Sequence, residues 1–120
     1  MKKILSCILI LCIVILACCQ KTEISESKAI ELSKTYLEST YSQEALKTIT
    51  NYDSPIVEKM VFDENHFLIY FGDESPQTND LKGKEVWKIT YTTTLDPFLG
   101  PEIIYLDRYS GQIYGSEPRM

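Results

Sequence analysis

Residues 86–95, VWKITYTTTL, decide the fold because they alternate bulky apolar side chains with polar ones. Trp87, Ile89 and Tyr91 occupy every second position, and a lysine or a threonine stands between them. A period of two places successive side chains on opposite faces of a β-strand. An antiparallel sheet commonly buries one face and leaves the other in water. The stretch therefore predicts a central strand with one buried and one solvated face.

Shorter strands are predicted on either side of this one. Two segments rich in β-branched and aromatic residues, separated by the polar triplet DEN, predict a hairpin at 56–62 and 66–71. After the central strand, two further apolar segments flank a turn rich in Asp, Ser and Gly. They predict strands at 102–106 and 112–114 around a turn at 107–111.

A helix is predicted ahead of the strands, from Ser25 to about Tyr41. Ser25 is a favourable N-cap, and Glu26 places negative charge in the first turn, where the helix dipole favours it. Apolar or small residues recur with the spacing of one helix face, and a break at 51–55 follows. That face comprises Ala29, Leu32, Ser33, Tyr36 and Leu37.

One helix followed by an antiparallel meander of four to five strands is an α+β fold, in which the helix covers one face of the sheet. A short second helical segment is predicted within 42–49. The predicted core consists of Ala29, Leu32, Tyr36, Trp87, Ile89, Ile104, Leu106 and Ile113.

The segment before the helix has the layout of an export signal. Lys2 and Lys3 precede an apolar run at 4–16 that is short for a membrane span. The run ends in ILAC at 15–18, which resembles a bacterial lipobox. This resemblance implies removal of the signal peptide and attachment of a diacylglyceryl lipid to Cys18. A second frame would lipidate Cys19 instead, and an uncleaved signal anchor is a further alternative.

Cleavage before Cys18 divides the chain into a signal peptide at 1–17, a lipidated tether at 18–24, one domain at 25–117 and a tail at 118–120. Loss of two lysines leaves 10 basic and 17 acidic residues, a net charge of −7. An acidic domain argues against nucleic-acid binding and against electrostatic attraction to anionic lipid. The remaining cysteines adjoin each other and form no disulfide framework.

Two stretches together resemble the PepSY domain family. The first is ISESKAIEL at 24–32, and the second joins WKI at 87–89 to IIYLD at 103–107 and GQI at 111–113. Cystatin-like lipoproteins would give a similar pattern of one helix and several strands. The PepSY resemblance implies a small extracytoplasmic module, found beside peptidases and proposed to modulate them, with no catalytic residues.

The turn of the closing hairpin has a physical reason of its own. Asp107 can accept hydrogen bonds from the amides of the turn, and Ser110 precedes a glycine. Gly111 can adopt positive φ at no steric cost.

Candidate chemical groups are few. His66 is the single histidine, and no nucleophile stands at a usable spacing from it, which favours a polar turn residue. Asp73, Glu74 and Asp80 lie in a polar loop but lack the spacing of a calcium site, so that no metal and no cofactor beyond the lipid is expected.

Tyrosines are the remaining candidates for a binding surface. Side chains of this type are large, rather rigid and able to form hydrogen bonds, so they serve well as contact residues on an exposed sheet face. The alternative is ordinary sheet packing with hydroxyl groups at the rim. The five in the β half are Tyr70, Tyr91, Tyr105, Tyr109 and Tyr114.

The sequence thus predicts a lipid-anchored, extracytoplasmic protein of the cell envelope that is not an enzyme. Its function would be to bind or regulate a protein or peptide partner, such as a peptidase. The alternatives are a structural subunit of an envelope assembly or an immunity or inhibitor protein. Cys19 rather than Asp follows Cys18, which favours the periplasmic face of the outer membrane over the inner membrane in a Gram-negative host.

Overall fold

The computed structural model describes residues 22–65, 67–69 and 81–119. The predictions for the signal peptide, Cys18, Cys19, His66, Tyr70 and the acidic loop residues Asp73, Glu74 and Asp80 lie outside this part of the chain. Within it, no helix has the length and apolar character needed to cross a membrane. The described residues form three helices and four strands: α1 Glu26–Thr40, α2 Gln43–Leu46, β1 Ile56–Val61, β2 Glu85–Tyr91, α3 Asp96–Leu99, β3 Glu102–Asp107 and β4 Ile113–Ser116.

The predicted α+β class is confirmed, and so is the beginning of α1. The Ser25 side chain accepts a hydrogen bond from the backbone N–H of Lys28 at 3.1 Å, as an N-cap does. Ala29, Ser33 and Tyr36 are buried, so the predicted apolar stripe faces the protein interior. The short helix α2 lies within the segment where a second helix is predicted.

The four strands form one antiparallel sheet in the order β1-β2-β3-β4. In β2 and β3, Val86 pairs with Asp107 at one end and Tyr91 pairs with Glu102 at the other. Helix α1 starts at the first of these ends, because the Ile24 N–H donates to the Arg108 carbonyl at 2.9 Å. We call this the tether end and the end at Glu102 the far end.

The predicted hairpin of 56–62 with 66–71 is wrong. β1 pairs with β2 instead, and Ile69 forms a bridge to Ser116 at the opposite edge of the sheet. The Asn65 side chain accepts from the backbone N–H groups of Leu81 and Lys82, both at 3.0 Å, and so joins the end of β1 to the turn that leads into β2. Strand composition predicts that a segment is a strand but does not specify its partner.

The core between α1 and the sheet agrees closely with the prediction. Leu32 and Ile113 are partly buried and pack against its edge. Leu37 and Tyr91 are buried here too, as the predicted helix stripe and the predicted buried strand face indicate, although the predicted core set does not include them. The buried members of this cluster are Ala29, Tyr36, Leu37, Trp87, Ile89, Tyr91, Ile104 and Leu106.

The other face of the sheet carries a second apolar cluster. It contains residues of the sheet together with Phe62, Leu68 and Leu81 from the connection between β1 and β2. The prediction of a solvated second face is therefore wrong where Val86 lies, although Lys88 is only half-buried. The buried members are Phe62, Leu68, Leu81, Val86, Tyr105 and Tyr114.

Candidate functional site

The described tyrosines of the predicted binding surface do not form an exposed face. Tyr91, Tyr105 and Tyr114 are buried, in the two apolar clusters of the sheet. Their hydroxyl groups lie 2.6 Å from the Ser33 hydroxyl, 2.5 Å from Glu117 Oε1 and 2.8 Å from Asp107 Oδ2, respectively. The prediction is wrong for these three residues because both sheet faces are covered, and the alternative of ordinary sheet packing describes them.

Tyr109 lies at the tether end, where its hydroxyl donates to Glu85 Oε2 at 2.7 Å. Of the four tyrosines in that set that the structure describes, it is the one that is not buried. Tyr109 by itself does not make a surface.

The predicted turn chemistry is present between β3 and β4. Asp107 Oδ1 accepts from the N–H groups of Tyr109 at 2.9 Å and Ser110 at 2.8 Å. Burial alone would raise the pKa of Asp107, but these hydrogen bonds, together with one from the Tyr114 hydroxyl, lower it below its usual range. Gly111 has φ of 76°, and a Cβ there would lie 2.6 Å from Leu32 Cδ1, so the turn needs glycine to meet α1. These contacts make the turn a structural feature.

An ionic cluster holds the start of the domain at this same end. The Glu23 carboxylate lies 2.6 Å from Lys59 Nζ on β1 and 3.9 Å from Arg108 Nη1. Arg108 Nη2 also donates to the Met60 carbonyl at 2.9 Å. The last residues of the predicted tether are therefore attached to β1 and to the β3–β4 turn.

The far end contains the best candidate for a binding site, a largely apolar cavity of about 210 Å³. It lies between the end of α1, helix α2 and the loop that joins β2 to β3. The lining residues come from separate segments of the chain: Leu37, Tyr41, Ala45, Leu46, Thr48, Ile49, Thr93, Leu95, Glu102 and Arg119.

Backbone hydrogen bonds fix two walls of the cavity to each other. The Thr50 N–H donates to the Thr92 carbonyl at 2.8 Å, and the Thr94 N–H donates to the Thr48 carbonyl at 2.9 Å. Asp96 Oδ1 accepts from the Thr93 N–H at 2.9 Å, which fixes the loop before α3. Hydrogen bonds between separate segments thus hold the walls of the cavity in place.

A buried ion pair lies at the floor of the cavity. Glu102 is 2% exposed, and its carboxylate accepts from the Tyr41 hydroxyl at 3.1 Å and from Arg119 Nη1 at 3.3 Å. Arg119 also donates to Thr93 Oγ1 at 2.9 Å and to the Gly100 carbonyl at 3.0 Å. Burial raises the pKa of Glu102, and Tyr41 and Arg119 partly offset this. The ion pair is therefore hydrogen-bonded to Tyr41, Thr93 and Gly100, and these bonds fix this wall of the cavity.

Beside the cavity, three apolar side chains are exposed on one short segment, residues 95–99, which we call the apolar turn. Leu95, Phe98 and Leu99 are 40%, 78% and 38% exposed. Their spacing of i, i+3 and i+4 places them on one side of α3. Leu95 also lines the cavity, so that the apolar turn and the cavity form a continuous surface.

The sequence pattern of this segment predicts only a loop between two strands. A signal was available, because two bulky apolar residues stand between Pro97 and Pro101 in a loop that must lie at the surface. The cavity itself had no such signal, since it is assembled from distant segments.

Within the described residues, no group of three or more His, Cys, Asp or Glu side chains is placed to hold a metal ion. Comparisons with protein-family models, with curated proteins and with solved structures find no match to this chain.

Proposed function

We propose that the chain is a lipid-anchored, extracytoplasmic protein of the cell envelope whose body is a non-catalytic module that binds and regulates a protein partner, such as a peptidase. The ILAC segment at 15–18 and the resemblance to the PepSY family support the compartment and the class of function. The observation that carries the binding role is the position of the apolar turn and its cavity, at the far end of the domain.

The distance between the two ends follows from α1, which runs from one to the other. Its 15 residues span about 22 Å at roughly 1.5 Å per residue. Glu23 and Ile24 are held against the domain by Lys59 and Arg108, so only residues 18–22 of the predicted tether are free, and they reach at most about 18 Å when fully extended. An anchor at Cys18 would therefore keep the tether end near the membrane and direct the apolar turn toward partners in the surrounding compartment.

Photo-crosslinking in cells tests this proposal. A photo-reactive phenylalanine analogue replaces Phe98 at the far end, and the matched control places it at Lys82, which is exposed in the turn before β2 at the tether end. We expect a discrete adduct with an envelope protein from position 98 and not from position 82. Absence of any adduct at position 98, or the same adducts from both positions, would contradict a partner bound at the far end.

A structural subunit of an envelope assembly is the second candidate. β1 ends the strand order of the sheet, and its Ile56 and Val61 side chains are 51% and 45% exposed. An exposed edge strand is a site where another chain can add a strand. This function predicts that the protein migrates with a stable complex in native gels of solubilised membranes, and that Val57→Pro in β1 releases it.

A further inference from the structure

The cavity at the far end has the size and lining to hold part of a partner. A cavity of about 150 Å³ with apolar walls accommodates a benzene molecule, so that the space of about 210 Å³ next to Leu46 and Leu95 is sufficient for one bulky apolar side chain. The exposed Phe98 and Leu99 extend this apolar surface beyond the opening. An aromatic or aliphatic residue with apolar neighbours therefore matches the site.

The charges around the cavity favour a basic partner. Among the described residues that line the cavity, Arg119 is the one cationic side chain. It lies 3.3 Å from the Glu102 carboxylate and 4.0 Å from that of Asp96, so two carboxylates share one positive charge. Glu44 on α2 and Lys47, the residue that ends this helix, are both exposed, and their charges offset each other. The predicted mature chain also has a net charge of −7, which would attract a cationic partner over a distance.

We propose that the cavity receives a bulky apolar side chain from a basic segment of a protein partner, with the apolar turn covering the residues beside it. This inference rests on the proposed binding function and names the partner's chemistry. A membrane surface is a poor occupant, because the apolar turn lies at the end opposite the tether and because acidic surfaces are repelled by anionic lipid.

Titration calorimetry with three peptides tests the inference on the full protein, held by its own anchor in phosphatidylcholine nanodiscs. The first peptide is acetyl-KKLFKK-amide. The second, acetyl-EELFEE-amide, keeps the apolar pair and reverses the charge, and the third, acetyl-KKSSKK-amide, keeps the charge and removes the apolar pair. We expect binding of the first peptide, which weakens as salt is added, and affinities at least about tenfold lower for the other two.

Protein variants locate the binding. Ala45→Trp fills the cavity, since Ala45 lines it, and Phe98→Ser removes an exposed side chain of the apolar turn without disturbing the core. Phe67→Ser is the matched control, because Phe67 is 67% exposed and lies on the segment that bridges β4. We expect about tenfold weaker binding of the first peptide for each of the first two variants and no change for the control.

Equal binding of all three peptides, no binding of any, or unchanged affinity in both Ala45→Trp and Phe98→Ser would overturn the inference. So would binding of the apolar turn to phosphatidylglycerol vesicles that Phe98→Ser abolishes while peptide binding is absent. An adduct at position 98 in cells combined with no peptide selectivity would leave the proposed function standing and this inference refuted. Peptide selectivity without any cellular adduct at position 98 would leave the chemical preference of the cavity standing and refute the binding of a partner at the far end in cells.

Discussion

At the scale of single residues, the hydroxyl groups of Ser33 and Tyr91 join α1 to β2 inside the core. Their oxygens lie 2.6 Å apart, and both residues are fully buried. Ser33→Ala leaves the Tyr91 hydroxyl without this partner, and we expect a loss of about 1–3 kcal/mol in the free energy of unfolding. Urea denaturation measures it.

The double variant Ser33→Ala with Tyr91→Phe is the control, because it removes both members of the pair. We expect it to be less destabilised than the sum of the two single variants. Strict additivity would show that the two hydroxyl groups do not interact in the folded protein.

Glu102 and Asp107 are expected to respond to pH in opposite directions. Burial raises the pKa of Glu102 above its ordinary value of 4.5, so the folded state binds this proton more tightly than the unfolded chain does. Its contribution to stability therefore increases as the pH falls from the raised pKa toward 4.5. The pKa of Asp107 is lowered from 3.8, so its contribution is present above that pH and is lost below it.

The variant Glu102→Gln keeps the shape of the side chain and removes its titration. We expect the stability of the original protein, relative to this variant, to be greater at pH 5 than at pH 8. Thermal unfolding at a series of pH values gives this difference. A difference that stays constant, or that grows toward alkaline pH, would show that burial does not raise the pKa of Glu102.

At the scale of secondary-structure elements, the start of α1 depends on its cap. Ser25→Ala removes the acceptor of the Lys28 N–H, and we expect a loss of about 1 kcal/mol. Ser27→Ala is the matched control, because Ser27 is exposed in the first turn of the same helix. Equal losses in the two variants, measured by denaturant unfolding, would mean that the cap contributes nothing specific.

Elements with strong local signals were predictable from the sequence, and their partners were not. The cap at Ser25 and the turn at Asp107 and Gly111 follow from contacts within a few residues, so the sequence contains the whole reason for them. The pairing of β1 with β2 depends on a connection of 23 residues, and period-two alternation is the same for any partner.

At the scale of the whole molecule, the packing on the second face of the sheet explains why Tyr105 and Tyr114 are buried and do not form the predicted binding surface. Phe62, Leu68 and Leu81 cover Tyr105 and Tyr114, although these covering residues come from a segment predicted to form a hairpin and a loop. A tyrosine in a strand is exposed or buried according to what packs on its face. That information is not local, and the cavity at Glu102 was not predictable for the same reason.

The two ends of the domain have different roles in the proposed function. The tether end is ionic and holds Glu23 against Lys59 and Arg108. The far end presents the apolar turn and the cavity. This separation has functional meaning only if the chain is attached to a membrane at the tether end, so the proposed function depends on attachment through Cys18.

Metabolic labelling with palmitate tests this attachment most directly, in cells that express the original protein, Cys18→Ser or Cys19→Ser, with fractionation of membranes from soluble proteins. We predict that the original protein and Cys19→Ser are labelled and sediment with membranes, and that Cys18→Ser is neither labelled nor retained there. Label that persists in Cys18→Ser and disappears in Cys19→Ser would move the anchor to Cys19. An original protein that carries no label would contradict a lipid anchor altogether.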